Sequence, residues 1–140
     1  MNPWYYQNQI VDSIDPKYVA FVYIITNLIS GKQYIGLKTT RSIRYKALNN
    51  KRKKVYVESD WKSYWSSSDA LKTDVEVLGQ DNFKREIIHF CEKKAHANYL
   101  EAKEQYSRLV LEHPEKYYNQ IINVRVNRSH LKTLIEMEQC

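Results

Sequence analysis

The sequence predicts a single domain of mixed α/β (α+β) class, and three features of the chain support this. Two apolar runs, 21–25 and 34–36, are joined by a short segment that contains Gly31, which is typical of a β-hairpin. Residues 95–112 contain no Gly or Pro and carry apolar side chains at helical spacing. The chain has 140 residues, enough for one hydrophobic core.

The strands of this hairpin are expected at 18–26 and 32–36, and a helix is expected to follow them up to about residue 50. Thr39, Thr40 or Ser42 can cap that helix. Its inner face would carry Ile43, Ala47 and Leu48, which recur at helical spacing. The basic run 51–54 would end the helix, and 55–67 are expected to be irregular.

The second half of the chain predicts a helix, a strand and a long helix. Ser68 is a suitable N-cap for a helix over 69–78, which Gly79 would end. A strand is expected over 82–91. The helix over 95–112 would bury a stripe made of Tyr99, Ala102, Tyr106, Leu109 and Val110.

Weaker patterns define the two ends of the chain. Beyond Pro114, the sequence predicts a short strand over 121–126 and a terminal helix over 131–137. We therefore expect an N-terminal arm over 1–18, one domain over 19–126 and a C-terminal helical tail over 127–140. The aromatic residues Trp4, Tyr5 and Tyr6 would anchor the arm.

Positive charge is concentrated in one part of the chain. The net charge is +6, yet residues 17–57 hold ten Lys or Arg and no Asp or Glu. The remaining residues hold twelve basic and sixteen acidic side chains, so the whole positive excess lies in this segment. A one-sided basic field of this kind indicates a nucleic-acid phosphate backbone as the partner.

Several other classes of protein are disfavoured. The two cysteines, Cys91 and Cys140, have no metal-ligand spacing, which argues against a disulfide framework or a zinc site. No stretch is apolar and long enough to span a membrane, and the first residues lack a signal-peptide pattern. We expect a soluble, cytoplasmic protein.

One spacing points to a specific chemistry. Tyr23 lies on the first strand, Tyr34-Ile35-Gly36 follows eleven residues later, and Arg44 lies ten residues beyond Tyr34. This pattern resembles the GIY-YIG nuclease family, which is rich in phage and mobile-element endonucleases. The resemblance covers about residues 19–126 and implies a central three-stranded antiparallel sheet with flanking helices.

The resemblance also implies a metal-dependent endonuclease that hydrolyses DNA phosphodiester bonds. Its catalytic residues would be Tyr23, Tyr34, Arg44 on the helix after the second strand, and Glu101. In the family, the tyrosine of the first strand is assigned to activating the attacking water. Because free tyrosine is a weak base at neutral pH, nearby cations such as Arg44 and Lys38 would have to lower its pKa. The cofactor would be Mg²⁺, with Mn²⁺ as an alternative.

Two glutamates compete for the role of metal ligand. The spacing to Asn119 seen in some family members favours Glu104. Helix geometry favours Glu101, which lies roughly 130° from the centre of the apolar stripe, whereas Glu104 lies roughly 170° away. We take Glu101 as the ligand and Glu104 as the alternative.

The expected partner is double-stranded DNA, and a homodimer is left open. The basic segment and one residue near the end of the domain are expected to contact DNA: Lys38, Arg41, Lys46, Lys51, Arg52, Lys53, Lys54 and Asn119. The chain also departs from the family. Phe21-Val22 replace the first two letters of the GIY motif, and no histidine occurs between Arg44 and His89, so Tyr45 and Tyr56 are the two candidates to take its place. A DNA-binding protein with weak or no catalysis is therefore the alternative function, and a basic interaction module without nucleic acid is a third.

Overall fold

A five-stranded mixed sheet forms the centre of the molecule, in the strand order β2-β1-β7-β3-β4. The structure, a computed structural model, describes residues 2–49 and 51–134. A separate two-stranded sheet holds β5 and β6. In chain order the elements are β1 Trp4–Tyr6, β2 Gln9–Val11, β3 Ala20–Asn27, β4 Gln33–Thr39, β5 Arg41–Leu48, β6 Lys51–Glu58, α1 Asp69–Leu78, β7 Phe83–Cys91 and α2 Lys94–Ser107, with short 3₁₀ turns at Trp61–Ser63, Gln80–Asn82 and Arg128–Leu131.

Strand β3 lies at the middle of the core and is buried along nearly its whole length. It pairs antiparallel with β4 on one side and with β7 on the other. One face of the sheet packs on α1 through residues such as Phe21, and the other packs on α2 through residues such as Val22. The predicted α/β class and the three-stranded antiparallel unit are thus confirmed, and the near-continuous apolar run of β3 reflects burial on both faces.

The N-terminal residues add two strands to this sheet. Strand β1 pairs parallel with β7, and β2 pairs antiparallel with β1. Trp4 is buried, and its indole nitrogen donates a hydrogen bond to the carbonyl oxygen of Trp61 over 2.7 Å. The segment expected to be an arm over 1–18 therefore contains part of the central sheet.

The helix expected between residue 39 and residue 50 is wrong. Residues 41–48 form β5, which pairs antiparallel with β6, so the basic run 51–54 is part of a strand rather than the end of a helix. The β-branched and aromatic residues of the segment, among them Ile43, Tyr45 and Tyr56, suit a pleated two-stranded ribbon. The helix was predicted because Ile43, Ala47 and Leu48 happen to recur at a spacing that also fits a helix.

The region from Ser68 to Cys91 follows the prediction closely. The Ser68 side chain accepts a hydrogen bond from the Leu71 amide at the start of α1, and Gly79 ends that helix with φ 91°. That positive φ is what glycine permits without a steric cost. Strand β7 begins at Phe83, one residue after the predicted start.

Helix α2 is shorter than predicted and buries a different face. It ends at Ser107, where the chain turns through Arg108 and Leu109, the latter at φ 56°. Tyr106 and Leu109 are exposed, whereas Ala102 and Gln105 are buried. The stripe prediction was therefore wrong at Tyr106 and Leu109, since the close approach of α2 to the sheet selects small and amide side chains.

The final part of the chain is irregular where a strand over 121–126 was expected. The 3₁₀ turn Arg128–Leu131 continues as helix through residue 134, and the rest of the predicted terminal helix lies outside the described residues. In the described part of the chain, no helix combines the length and the apolar character needed to cross a membrane.

Candidate active site

The two tyrosines of the motif meet over a glycine on the outer strand of the sheet. Tyr23 on β3 is directly paired with Gly36 on β4, and the ring centroids of Tyr23 and Tyr34 lie 6.2 Å apart. A Cβ atom at Gly36 would lie 2.5 Å from the hydroxyl oxygen of Tyr23. The Tyr23 side chain therefore crosses β4 through space that only glycine leaves open, as expected from a close backbone approach.

Glu101 lies on helix α2, on the part of the helix that is fixed to β4. The helix is fixed to β4 by Gln105, whose amide nitrogen donates to the Ile35 carbonyl over 3.0 Å. Glu101 lies one turn before Gln105 and therefore on the same side of the helix. Its negative charge contributes to raising the pKa of both Tyr23 and Tyr34, as expected for groups that share one site.

The Glu101 carboxylate is half-buried and accepts no hydrogen bond from the described residues. Burial raises its pKa to about 7, because nothing nearby compensates for the loss of water around the charged form. A carboxylate left in this condition has its oxygens available for a ligand. Of the two candidate glutamates, this is the one that faces the tyrosines.

Glu104 is already engaged elsewhere. Its two carboxylate oxygens bond to His89 Nε2 on β7, at 3.0 Å, and to Arg108 Nε, at 3.1 Å. Burial alone would raise the pKa of Glu104, but these two hydrogen bonds hold it below its usual value. The helical-wheel placement of Glu104 on the outer face is wrong, because the residue ties α2 to the sheet.

The expectation that cations lower the tyrosine pKa is also wrong for the free chain. The pKa of Tyr23 is raised well above its ordinary value, first by burial and then by Tyr64, Tyr34 and Glu101. Burial likewise raises the pKa of Tyr34, although its hydrogen bond with Ser67 acts in the opposite direction. Both phenols are therefore neutral at pH 7.

Arg44 does not lie on a helix next to the tyrosines. It is exposed on β5, opposite Val55, in the separate two-stranded sheet. Lys38 is the cation on the strand of the motif, two residues after Gly36 and on the same face. Its ammonium group lies 2.6 Å from Asp60 Oδ1 and 4.2 Å from the ring centroid of Tyr64.

Tyr64 and Ser67 complete the surroundings of the tyrosines, and the motif spacing gave no sign of them. The rings of Tyr64 and Tyr23 lie 6.1 Å apart, and the hydroxyl groups of Ser67 and Tyr34 share a hydrogen bond of 3.1 Å. The only signal in the sequence was the cluster of aromatic and serine residues over 61–68. Tyr45 and Tyr56, named as substitutes for the absent histidine, lie on the exposed ribbon instead.

A buried arginine fixes the segment that carries Tyr64. The Arg85 guanidinium donates to the Tyr64 carbonyl over 2.7 Å and also to the Asn2 carbonyl. It lies between the rings of Trp4 and Trp65, with centroid distances of 4.7 and 4.4 Å. Burial lowers its pKa to about 10, so it remains charged at neutral pH.

Asn119 holds the outer strand and does not face solvent. Its side-chain oxygen accepts a hydrogen bond from the Ile35 amide over 3.1 Å, and its nitrogen donates to the Ile35 carbonyl over 2.8 Å. The residue is buried. The expectation that Asn119 contacts DNA is therefore wrong, since its buried amide is bonded to both backbone groups of Ile35 and positions the strand of the tyrosine motif.

The remaining basic residues expected to contact DNA lie on the β5–β6 ribbon, outside the site just described. They are exposed, and among residues 2–49 and 51–134 none forms an ion pair: Arg41, Lys46, Lys51, Arg52, Lys53 and Lys54.

A comparison with protein-family models identifies the chain. Residues 4–122 match the family described as "Putative endonuclease segE, GIY-YIG domain". The chain belongs to the GIY-YIG family. Neither the curated proteins nor the solved structures gave a match.

The matched region includes β1 and β2, and therefore the N-terminal strands that the resemblance alone had left outside the GIY-YIG domain. It also includes the β5–β6 ribbon. The Phe21 of the altered first motif is buried against Trp4, Tyr23 and Trp61, where it fills the core. The loss of the first glycine of GIY thus changes core packing on β3 and leaves the tyrosine in place.

The GIY-YIG site offers a divalent metal a single carboxylate, that of Glu101. Within the described residues, no group of three or more His, Cys, Asp or Glu side chains could surround an ion. A single carboxylate is nevertheless enough for Mg²⁺, which keeps several waters and commonly binds one or two carboxylates together with substrate phosphates. Glu101, half-buried and without a hydrogen-bond partner among the described residues, fits that role.

Proposed function

We propose that this GIY-YIG protein is a metal-dependent endonuclease that hydrolyses phosphodiester bonds of double-stranded DNA. The observation that carries the proposal is the close approach of Tyr23 and Tyr34 over Gly36, with the charge of Glu101 near enough to act on both phenols. The hydroxyls of Tyr23 and Tyr34 come from the sheet, and the Glu101 carboxylate comes from α2. Hydrolysis of a phosphodiester requires an oriented water, stabilisation of the negative charge that develops and assistance to the leaving oxygen.

Glu101 would hold the divalent metal, Mg²⁺ or Mn²⁺. When bound, the metal supplies Lewis acidity to the scissile phosphate and leaves coordination positions for water. The carboxylate is suited to this because it has no competing partner among the described residues, whereas Glu104 is committed to His89 and Arg108.

Tyr23 and Tyr34 would orient the water and the phosphate as neutral phenols. A phenol with a raised pKa keeps its proton at neutral pH and can donate it in a hydrogen bond, but it is a poor general base in the free protein. Burial fixes the ring of Tyr23, and the hydrogen bond to Ser67 fixes the hydroxyl of Tyr34. Their contribution would therefore be positioning of the reacting groups.

Lys38 is the cation that we place beside the scissile phosphate. It follows Gly36 on the same strand and lies against Tyr64, which in turn lies against Tyr23. In the free protein the Lys38 ammonium group forms an ion pair with Asp60. A phosphate arriving at the site would compete with Asp60 for the ammonium group.

We further propose that the protein is encoded by a phage or mobile element, acts in the cytoplasm of the infected cell, and serves in homing or in degradation of host DNA. This rests on the family alone. A single chain would nick DNA, whereas a homodimer could cut both strands. The forms produced from supercoiled plasmid, together with the mass of the protein in solution, separate these two modes.

A second candidate function is DNA binding with weak or no catalysis. It is favoured by the position of Arg44, which in this structure lies on the exposed ribbon away from the tyrosines. A nicking assay on supercoiled plasmid separates the two functions. We expect nicking with Mg²⁺ or Mn²⁺ and none with EDTA. Undiminished cleavage in EDTA would reject the metal mechanism, and DNA binding without cleavage under either metal would leave the binding function.

A further inference from the structure

The β5–β6 ribbon has two faces of different chemistry. In an antiparallel pair, directly opposed residues share a face, and faces alternate along each strand. One face carries four cations in a row and no acidic residue. The register defines this cationic face as Ser42, Arg44 and Lys46 opposite Val57, Val55 and Lys53, followed along β6 by Lys51.

The opposite face, which we call the tyrosine face, has a partner for each of its cations. Arg41 and Lys54 lie over the ring of Tyr56, at 4.5 and 5.5 Å from its centroid. Arg52 lies 5.0 Å from the ring centroid of Tyr45. Cation–π contacts of this kind hold a charged side chain against the ribbon.

The cationic face carries an unfavourable arrangement. Lys46 lies directly opposite Lys53, and like charges in this position destabilise a strand pair. Arg44 and Lys51 are the diagonal neighbours of that pair, which extends the row to four. No hydrophobic core compensates, since the residues described on β6 are exposed except for the half-buried Val55. A two-stranded ribbon alone is marginally stable in water, so a polyanion bound to this face would remove its main electrostatic cost.

The ribbon also begins beside the candidate active site. β5 starts three residues after Lys38, and its return strand leads through Ser59 to Asp60, the partner of Lys38. Eight residues of strand extend about 25 Å. At the end of the ribbon nearest the central sheet, the tyrosine face is directed towards the body of the protein. There Arg41, Tyr56 and Glu58 line a cleft together with Ile14. Val57, from the cationic face, also lines this cleft.

We propose that the ribbon docks on duplex DNA through its cationic face, and so holds the duplex next to the Tyr23–Glu101 site. A two-stranded ribbon has the dimensions that the major groove admits. Lys46, Lys51 and Lys53 contact phosphates, while the tyrosine face keeps the ribbon rigid. This inference deepens the proposed function and rests on DNA being the partner, but it does not require that the protein cleaves.

Two double variants on one strand test the assignment of faces. Lys51→Gln with Lys53→Gln removes two charges from the cationic face. Arg52→Gln with Lys54→Gln removes two charges from the tyrosine face and is the matched control. Affinity for a 20-base-pair duplex is measured against KCl concentration in EDTA, so that cleavage does not contribute.

The first variant should bind at least about tenfold more weakly at 0.1 M salt. The slope of log K against log salt should also become shallower by roughly 1.8, because two phosphate contacts contribute about 0.9 each. The control should change this slope by less than half as much. Equal changes in both variants would overturn the assignment of faces, and no change in either would overturn the docking proposal. A single strand of the same length that binds as tightly as the duplex would overturn the choice of duplex.

Lysine acetylation of the wild-type protein gives a second readout that does not depend on variants. Duplex DNA should protect Lys46, Lys51 and Lys53 and leave Lys54 reactive. Protection of all four alike would contradict the proposal. A failure of plasmid cleavage with this protection intact would count against the nuclease function alone.

Discussion

The hydroxyl oxygen of Tyr23 lies 2.5 Å from the position that a Cβ atom on Gly36 would occupy. The two residues are paired across β3 and β4, and the Tyr34 ring approaches the same position to 2.8 Å. The glycine of the YIG motif thus allows both tyrosines to lie over the outer strand. The position of both rings therefore depends on residue 36 having no side chain.

A Gly36→Ala variant should therefore lose both stability and activity. The methyl group would overlap two rings, and overpacking of this kind costs about 1–3 kcal/mol. We expect the free energy of unfolding in urea to fall by this amount and plasmid nicking to be lost. Gly31→Ala is the control, because no atom lies within 4 Å of its Cβ position. Its φ of +80° makes it destabilising by about 1 kcal/mol, but nicking should remain. Equal stability of the Gly36→Ala variant and the wild type would contradict the close approach.

Glu101 and Glu104 offer a matched pair of variants on one helix. Glu101→Gln should reduce cleavage by about 100-fold or more, the scale expected when a group that stabilises the transition state is removed. It should preserve the fold and the affinity for DNA. Glu104→Gln breaks the bonds to His89 and Arg108 and should cost no more than about 1 kcal/mol of stability with modest change in cleavage. A dead Glu104→Gln with an active Glu101→Gln would reassign the metal ligand.

The Glu104 network also predicts a dependence of stability on pH. Its pKa is lowered in the folded chain, so its contribution is present above the unfolded value of about 4.3 and is lost as the pH falls through the folded value. Unfolding in urea should therefore show that the Glu104→Gln variant loses less stability than the wild type between pH 5 and pH 3, a window set by the usual range of the carboxyl group. An identical acid dependence in both proteins would show that Glu104 carries no such contribution.

The sequence predicted the parts of the site that lie on strongly patterned elements. Tyr23 and Tyr34 lie on short apolar runs joined by a glycine-containing turn, which favours strands, and the chain between Ser68 and Cys91 has clear caps and alternation. Arg44 was misplaced because three apolar residues in its segment fit a helical period by chance, while strand pairing with 51–58 is a non-local interaction. Tyr64 was missed for a related reason: a buried guanidinium, Arg85, fixes its irregular segment from a distant strand.

Lys38 and Arg44 should have different effects when replaced. Lys38→Ala removes a cation next to Tyr64 and should lower the rate at saturating DNA by about 100-fold. Arg44→Ala removes a ribbon cation and should weaken DNA binding with a near-normal rate at saturation. Single-turnover kinetics over a range of DNA concentrations measure both quantities. The opposite result would mean that the ribbon moves in the complex and brings Arg44 to the scissile phosphate.

Asn119→Ala should act through stability. The amide side chain makes two hydrogen bonds to the backbone of Ile35, and its loss would leave the buried Ile35 amide without its partner. An unsatisfied buried group costs about 1–3 kcal/mol. We expect a fall of this size in the free energy of unfolding, measured in urea, and unchanged DNA affinity below the transition. The exposed neighbour Gln120 provides the control, since Gln120→Ala should change neither quantity. Weakened DNA binding by a fully stable Asn119→Ala protein would restore Asn119 to the DNA-contacting residues and show that β4 does not need this support.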